Sequence, residues 1–231
     1  VKAEGDYLII LDADVTVTQH WLKTMVAQAI RGVDVVSGYT EVKTEGYFSS
    51  IQKMDWQNSI HSLKVFSDYG NTLTALGNNM LISKKAYQTI GGFEALGKTK
   101  VEDLKLLLAA RKAGLKTAQL IDKGAGITFP IKGILDYVDQ RKRWLKGILS
   151  YRTLSGIGFI FYRLLLIEML AVLLFLTNST ALVVLISLIV LKLLIENIKQ
   201  YQVKRTLGQV DVKFSLFKPF IIALLDTFAL V

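Results

Sequence analysis

Apolar runs and amphipathic stretches alternate along the first half of the chain. The first run, residues 7–11, is continuously apolar, as in a strand that is buried on both faces of a parallel sheet. The predicted strands are residues 7–11, 33–37, 79–83 and 116–121, and the predicted helices are residues 18–31, 48–66 and 102–113. Strands and helices in alternation predict an α/β domain with a largely parallel sheet.

The second half of the chain is more apolar and predicts membrane helices. Residues 132–149 carry apolar side chains with cations between them, a pattern typical of a helix that lies in the membrane interface. Residues 159–176 and 181–197 form two long hydrophobic segments around an uncharged turn. Residues 217–231 form a third segment, which is shorter than the ~20 residues that a bilayer requires. We therefore expect a transmembrane hairpin followed by a truncated third helix.

Two charged residues, Arg163 and Glu168, interrupt the first hydrophobic segment. An ionisable group inside a membrane segment is costly unless it is paired or reaches water. The segment is therefore expected either to lie partly in the interface or to pair its charges within the helix bundle.

The distribution of charge favours a membrane over nucleic acid as the partner. The net charge is +9, but the cations flank the hydrophobic segments and do not form a stripe with interleaved aromatic residues. They are Arg141, Lys142, Arg143, Lys146, Arg152, Lys199, Lys204, Arg205, Lys213 and Lys218. Because cytoplasmic loops are rich in Lys and Arg, we expect a multi-pass protein of the cell membrane whose α/β domain is cytoplasmic. The absence of cysteine excludes disulfides and thiolate metal sites.

Both ends of the sequence are typical of a fragment. Val1 is not a start methionine, and the first predicted strand begins only a few residues later. Since the last hydrophobic segment is also short, we expect the sequence to be the middle of a longer protein.

Two aspartates, Asp12 and Asp14, directly follow the first predicted strand. Ligands bind at this edge of open α/β sheets, and two carboxylates there can hold Mg²⁺ or Mn²⁺ against a diphosphate. The alternative is a pair of acids in a turn that precedes the next helix. The Asp-x-Asp pair alone does not decide between the two interpretations.

A second acidic pair, Glu102 and Asp103, stands at the head of a predicted helix. The helix dipole favours a carboxylate there and keeps it ionised, so Asp103 is the candidate general base for a hydroxyl proton. Gly97 and Lys98 lie in the preceding loop, which we expect to close on a ligand. The competing interpretation is that both carboxylates only stabilise the first turn.

A third motif, formed by Gln140, Arg143 and Trp144, has the spacing i, i+3 and i+4 and therefore occupies one face of a helix. Arg can contact a phosphate with two N–H groups, and Trp can offer its face to a sugar ring. Because Trp and Arg are also common at headgroup depth, an interfacial anchor is the alternative. Residues 77–80, Gly-Asn-Asn-Met, form either a plain turn or a backbone surface for an acceptor.

In order and spacing these motifs resemble glycosyltransferase family 2, the membrane-associated transferases of GT-A type. The resemblance spans nearly the whole chain and rests on residues 5–14, 91–93 (Gly-Gly-Phe), 102–103 and 140–144, the last as a QxxRW motif. Together with the hydrophobic hairpin that follows, the series is similar to relatives of ceramide glucosyltransferase, cellulose synthase and hyaluronan synthase.

The resemblance implies a division of the chain into three parts. Residues 1–131 would be the C-terminal part of a GT-A, Rossmann-like catalytic domain in the α/β class. Residues 132–152 would be an interfacial helix with the QxxRW motif, and residues 153–231 a transmembrane region.

The resemblance also implies an inverting transfer from a nucleotide sugar, most often a UDP-sugar, to a lipid or glycan acceptor, with Mg²⁺ or Mn²⁺ as cofactor. Asp14 would coordinate the metal with help from Asp12, and Asp103 would deprotonate the acceptor. The implied substrate-binding residues are Glu102, Gln140, Arg143 and Trp144. Two departures from the family pattern are that Val101 replaces a common Thr and that the half of the domain that grips the base would precede Val1. Donor identity therefore stays open.

Two other functions compete with sugar transfer. Residues 8–16 match the hhhDxDxT opening of haloacid-dehalogenase phosphatases, with Asp12 as nucleophile and Asp14 as acid/base. That interpretation leaves residues 140–144 and the membrane hairpin without a role. The other alternative is a non-catalytic membrane scaffold with the same fold.

Overall fold

The structure, a computed structural model, describes residues 3–97, 99, 101–123, 126–150, 153–209 and 214–230. Two β-sheets with helices around them occupy the first part, and long helices occupy the second. The loop residue Lys98 and two of the flanking cations, Arg152 and Lys213, lie outside the described residues.

The strands agree in part with the sequence pattern. They are β1 (Tyr7–Leu11), β2 (Thr16–Val17), β3 (Val35–Ser37), β4 (Thr40–Val42), β5 (Asn79–Ser83), β6 (Thr117–Gln119) and β7 (Gly126–Thr128). The predicted bounds of β1 and β5 are confirmed, whereas β2, β4 and β7 were not predicted because two or three residues carry no periodic signal.

The helices are longer than predicted at several ends. They are α1 (Trp21–Ile30), α2 (Tyr47–Asp68), α3 (Lys84–Thr89), α4 (Gly92–Leu96), α5 (Glu102–Lys112), α6 (Ile134–Ser150), α7 (Leu154–Leu173), α8 (Ser179–Thr206) and α9 (Phe217–Leu230). The Gly-Gly-Phe segment at residues 91–93 forms the start of α4, where Gly91 and Gly92 have positive φ angles of 76° and 61°. Glycine reaches this left-handed region without strain.

The larger sheet is mixed and has the strand order β1–β5–β3–β6. β5 is antiparallel to both of its neighbours, β1 and β3, whereas β3 and β6 are parallel. The prediction of a largely parallel sheet is therefore wrong for the described strands, because an apolar run does not reveal the direction of its neighbours. β1 is also covered less than predicted, since Tyr7 and Ile9 are exposed.

The sheet is covered by helices on both faces, as the side chains of its inner strand β5 show. Met80 and Ile82 pack in one cluster with Leu106 and Leu107 of α5. The intervening Leu81 points the other way, into a cluster with residues of α1, as the alternation of side chains along a strand requires. The described residues therefore form a layered α/β domain. A smaller sheet, β2–β7–β4, lies beside it.

Two helices, α7 and α8, are long and apolar enough to span a membrane. α9 packs against α2, α6 and α7. A small apolar core joins Leu145 of α6, Ile160 of α7 and Ala229 of α9. The helix predicted to lie in the interface is thus also packed into the helical bundle, while its first residues, Ile134 and Leu135, are exposed.

Candidate active site

One large cavity of about 920 Å³ lies among the turn after β1, the start of α5, helix α6 and the start of α7. All of the site residues predicted from the sequence line it: Asp12, Asp14, Glu102, Asp103, Gln140, Arg143 and Trp144. Folding thus brings three distant motifs to a single space. The roles predicted for the individual side chains stay predictions.

The first aspartate pair stands in a tight turn at the carboxyl end of β1. The backbone N–H of Val15 donates to the carbonyl oxygen of Asp12 at 3.1 Å, and this turn leads directly into β2. Partial burial raises the pKa of Asp12, the carboxylates of Asp14 and Glu102 raise it further, and the positive charge of Arg143 lowers it. This end of the cavity therefore concentrates negative charge around Asp12, with Arg143 as an opposing cation, and a bound cation would relieve the repulsion.

The two aspartates fit a magnesium-type ion that shares its ligands with a substrate. Among the described residues no group of three or more His, Cys, Asp or Glu side chains is placed to hold a metal. Mg²⁺ is usually held by one or two carboxylates, several waters and the phosphates of its substrate. Asp12 and Asp14 would supply the protein share of such a site, and a diphosphate the rest.

Asp103 is fixed by hydrogen bonds from two directions. The backbone N–H of Gly77 donates to its Oδ2 at 3.0 Å, and the N–H of Leu104 donates to its Oδ1 at 2.7 Å. Burial raises the pKa of Asp103, and these N–H bonds oppose the rise. The helix begins after Val101, which makes no capping bond through its side chain. Asp103 therefore does more than stabilise a first turn, since it also connects α5 to the loop before β5.

That loop approaches Asp103 closely and presents a polar group of its own. A Cβ atom on Gly77 would lie 3.3 Å from both Cβ and Oδ2 of Asp103, so glycine permits the contact. The next residue, Asn78, lines the cavity, and its Oδ1 is buried without a hydrogen-bond partner. The segment 77–80, expected to be either a plain turn or a backbone surface for an acceptor, thus borders the cavity and carries one buried amide oxygen without a partner.

Trp144 is held within the cavity wall by aromatic and cationic neighbours. Its ring centroid lies 5.3 Å from that of Trp56 on α2, with the planes tilted by 41°. The guanidinium of Arg141 lies 5.5 Å from the Trp144 centroid. Gln140 is half-buried and Arg143 is exposed, so of the three motif residues Arg143 is the most accessible to a ligand.

A buried ionic cluster behind α6 was not predicted from the sequence. Arg141 contacts Asp55 of α2 at 2.6 Å and Asp226 of α9 at 3.2 Å. Arg163 of α7 contacts the same two carboxylates at 2.5 and 2.6 Å. The predicted pairing of Arg163 inside the bundle is confirmed, although its partners are these aspartates and not Glu168. A lone aspartate in an apolar segment was the signal that could have indicated the cluster.

The ionisation of Asp55 depends on that cluster. Burial by itself would raise the pKa of Asp55, but Arg141 and Arg163 outweigh it and hold the pKa below its usual range. A carboxyl group with a depressed pKa stabilises the fold at neutral pH and loses this contribution as the pH falls through the lowered value.

A second buried cluster joins α8 to α2 and α7. The carboxylate of Glu196 contacts Lys192 at 2.6 Å and Lys199 at 3.2 Å, and it accepts hydrogen bonds from Tyr162 and Asn58. Among the described residues no ion pair joins the two clusters, but the charges of Arg163 and Asp55 also act on Lys199, so the clusters are electrostatically coupled.

The layered α/β domain, the acidic cavity at a strand end and the adjoining membrane-length helices fit an enzyme of the glycosyltransferase class. The sequence matches glycosyl transferase family 21 over residues 1–229, and the chain belongs to that family. The prediction of a glycosyltransferase is confirmed, while the assignment to family 2 is not. The family match also favours sugar transfer over the phosphatase interpretation of Asp12 and Asp14. A comparison with curated proteins gives no match.

Proposed function

We propose that the protein is a metal-dependent, inverting glycosyltransferase that moves a sugar from a nucleotide sugar to a lipid at the cytoplasmic surface of a membrane. The observation that carries the proposal is the shared cavity, in which the paired aspartates, the helix-head carboxylate of Asp103 and the face of α6 meet. Membership of a glycosyltransferase family supports the class of reaction. A UDP-sugar is the proposed donor because the resemblance to family 2 implies it.

The donor diphosphate would lie near Asp12, Asp14 and Arg143. Mg²⁺ or Mn²⁺ bound by the two aspartates would neutralise charge that develops on the leaving diphosphate. Arg143 lines the same cavity and its charge lowers the pKa of Asp12, so its N–H groups would contact the same phosphates. The carboxylate of Glu102 raises the pKa of Asp12. It would therefore border the donor, where it can accept a hydrogen bond from a sugar hydroxyl.

Asp103 would act as the general base. Its two backbone hydrogen bonds fix the carboxylate, and each oxygen retains a lone pair for a substrate. The acceptor hydroxyl would give its proton to Asp103 while its oxygen attacks the anomeric carbon. The bond from that carbon to the diphosphate breaks, the diphosphate leaves with the electron pair, and the configuration at the carbon inverts.

A lipid acceptor is favoured over a glycan by the far wall of the cavity. Phe159 and Gly156 belong to α7, a helix long enough to span a membrane, and they line the same cavity as Asp103. Ile148 of α6 extends this apolar wall. An acceptor with an apolar tail can therefore reach the site along α7 while its hydroxyl group faces the carboxylate.

The proposal is tested with membranes that contain the full-length protein. They are incubated with a panel of nucleotide sugars and a lipid extract, with and without a chelator, and the anomeric configuration of the product is read by NMR. We expect sugar transfer to a lipid with inversion, abolished by the chelator and restored by Mg²⁺ or Mn²⁺. Hydrolysis of an aryl phosphate without sugar transfer would instead establish the phosphatase alternative. Membranes that turn over neither substrate would favour the scaffold.

A further inference from the structure

Helix α6 borders the cavity, and Arg141, which also lines it, fastens the helix to α2 and α9. We propose that Arg141 is a positioning residue that fixes Trp144 in the cavity wall, and that Asp226 of α9 holds Arg141 in place. The helices on the membrane side of the molecule would thereby set the geometry of the acceptor end of the site. This inference rests on the proposed function and adds to it Arg141, an unassigned position of the QxxRW motif, and Asp226, which lies outside the predicted motifs.

The buried cluster leaves Arg141 no charge for a substrate. Two guanidinium groups, of Arg141 and Arg163, face two carboxylates, of Asp55 and Asp226, and each carboxylate contacts both cations. The four groups are each at most 9 % exposed at the side chain. A neutral cluster of this kind attracts no phosphate, so anion binding does not account for Arg141.

The geometry around Trp144 supplies another role for Arg141. The Trp144 ring packs against Trp56, and the guanidinium of Arg141 lies 5.5 Å from the Trp144 centroid, within the range of a cation–π contact. Nε of Arg141 donates to Asp226, and its Nη2 donates to Asp55 at 2.7 Å. Because both ends of the guanidinium are held, the plane that faces Trp144 cannot turn freely.

The contact with Asp226 spans 85 positions in the sequence. α9 packs against α6 and α7, so a shift of α9 reaches Arg141 directly and Trp144 through it. Misplacing a group that orients a substrate by about 1 Å can cost about 100-fold in rate. The expected effect of loosening Arg141 therefore falls mainly on the acceptor, which the wall of α6 and α7 is proposed to hold, because the donor keeps its proposed contacts with the aspartate turn and with the exposed Arg143.

Kinetics of Asp226→Asn in the full-length protein give the first test. We expect kcat/KM for the lipid acceptor to fall about tenfold or more, while the dissociation constant of the nucleotide sugar stays within about twofold. Glu196→Gln is the matched control, because it also removes a buried carboxylate that pairs with two cations, here Lys192 and Lys199 of its own helix α8. The control should lower thermal stability and leave the acceptor kcat/KM unchanged.

A spectroscopic readout tests the position of Trp144 independently of activity. Two indole rings at 5.3 Å and 41° give an exciton couplet in circular dichroism. Trp144→Phe defines the spectrum without the couplet. We expect Asp226→Asn to weaken the couplet and Glu196→Gln to retain it.

A double variant separates positioning from simple stabilisation. Arg141→Met with Asp226→Leu keeps the cluster neutral, since Asp55 and Arg163 remain as a pair, and apolar replacement of a buried ion pair is often neutral for stability. If Asp226→Asn alone does not fold, the double variant is measured in its place. Thermal stability near that of the wild type with a weakened couplet and low acceptor kcat/KM supports the inference. Recovery of the couplet and of kcat/KM together with stability overturns it.

Failure of the inference differs from failure of the proposed function. If the wild-type protein transfers no sugar, the proposed function fails, and the couplet alone decides whether Arg141 and Asp226 position Trp144. If the wild type transfers sugar and folded Asp226→Asn keeps both the couplet and the acceptor kcat/KM, only the positioning role is wrong.

Discussion

Replacing Asp103 by asparagine separates a catalytic from a structural role for the carboxylate on α5. The substitution keeps the size of the side chain and one oxygen, but it removes the proton acceptor. If Asp103 is the general base, turnover in the full-length enzyme should fall by about 10²–10⁴. This loss corresponds to about 2.7–5.4 kcal/mol in the activation free energy.

The effect of the same substitution on folding should be smaller. Asparagine can accept a hydrogen bond from either Gly77 or Leu104, but its amide group faces the other N–H, so one of the two bonds is lost. Loss of one such bond costs about 0.5–1.5 kcal/mol. Burial disfavours the charged form of Asp103 and raises its pKa, so a neutral side chain recovers part of that cost. We expect destabilisation of about 1 kcal/mol, well below the loss in activation free energy.

The assay measures donor binding, thermal unfolding and single-turnover transfer on the same preparation. Asp136→Asn is the matched control, because Asp136 also lies in the first turn of a helix, is exposed and does not line the cavity. The control should leave transfer unchanged. Turnover of folded, donor-competent Asp103→Asn within a few-fold of the wild type would refute the assignment of the base and leave a structural tie between α5 and Gly77.

Three further outcomes are expected. Asp14→Asn should abolish transfer that depends on Mg²⁺ or Mn²⁺ without affecting membrane insertion; transfer that persists and ignores a chelator would exclude the metal role. Because burial raises the pKa of Asp103 and a base must be ionised, kcat should fall as the pH drops through that raised value; an acid limb at the ordinary carboxyl pKa would contradict this. Single cysteines in this cysteine-free chain should be labelled from outside intact cells at position 178 and only from inside at positions 143 and 204; the opposite pattern would invert the proposed topology.

The sequence pattern predicted those elements whose signal is local. β1 and β5 have the predicted bounds because each is a run of strand-forming residues between turns. The start of α5 at Glu102 was also predicted, since acidic residues in a first turn mark a helix head. The direction of β5 was not predicted, because pairing is decided by how α2 returns the chain across the sheet, and no local pattern encodes that path.

The candidate site shows the same division between local and distant information. Asp12, Asp14 and Asp103 could be selected from the sequence because each follows a recognisable strand end or opens a helix, and the structure gathers them in one cavity. Asp55 and Asp226 could not be selected in this way. Their role depends on ion pairs with Arg141, which is 85 or more positions away in the sequence. In the sequence, Asp55 resembles any polar residue of a long helix.

The basic residues of α6 illustrate why residue type alone did not distinguish side chains available to a substrate from buried, paired ones. Successive helical residues differ by about 100° around the axis, so residues two apart point in nearly opposite directions. Arg141 is accordingly buried at 5 % exposure, while Arg143 is exposed at the cavity. A composition argument counts both as membrane-flanking cations, but only Arg143 is available to a phosphate, since Arg141 is already paired with two carboxylates. α6 therefore combines an exposed cation at the cavity, the proposed phosphate contact, with a buried cation that ties the helix to α2 and α9.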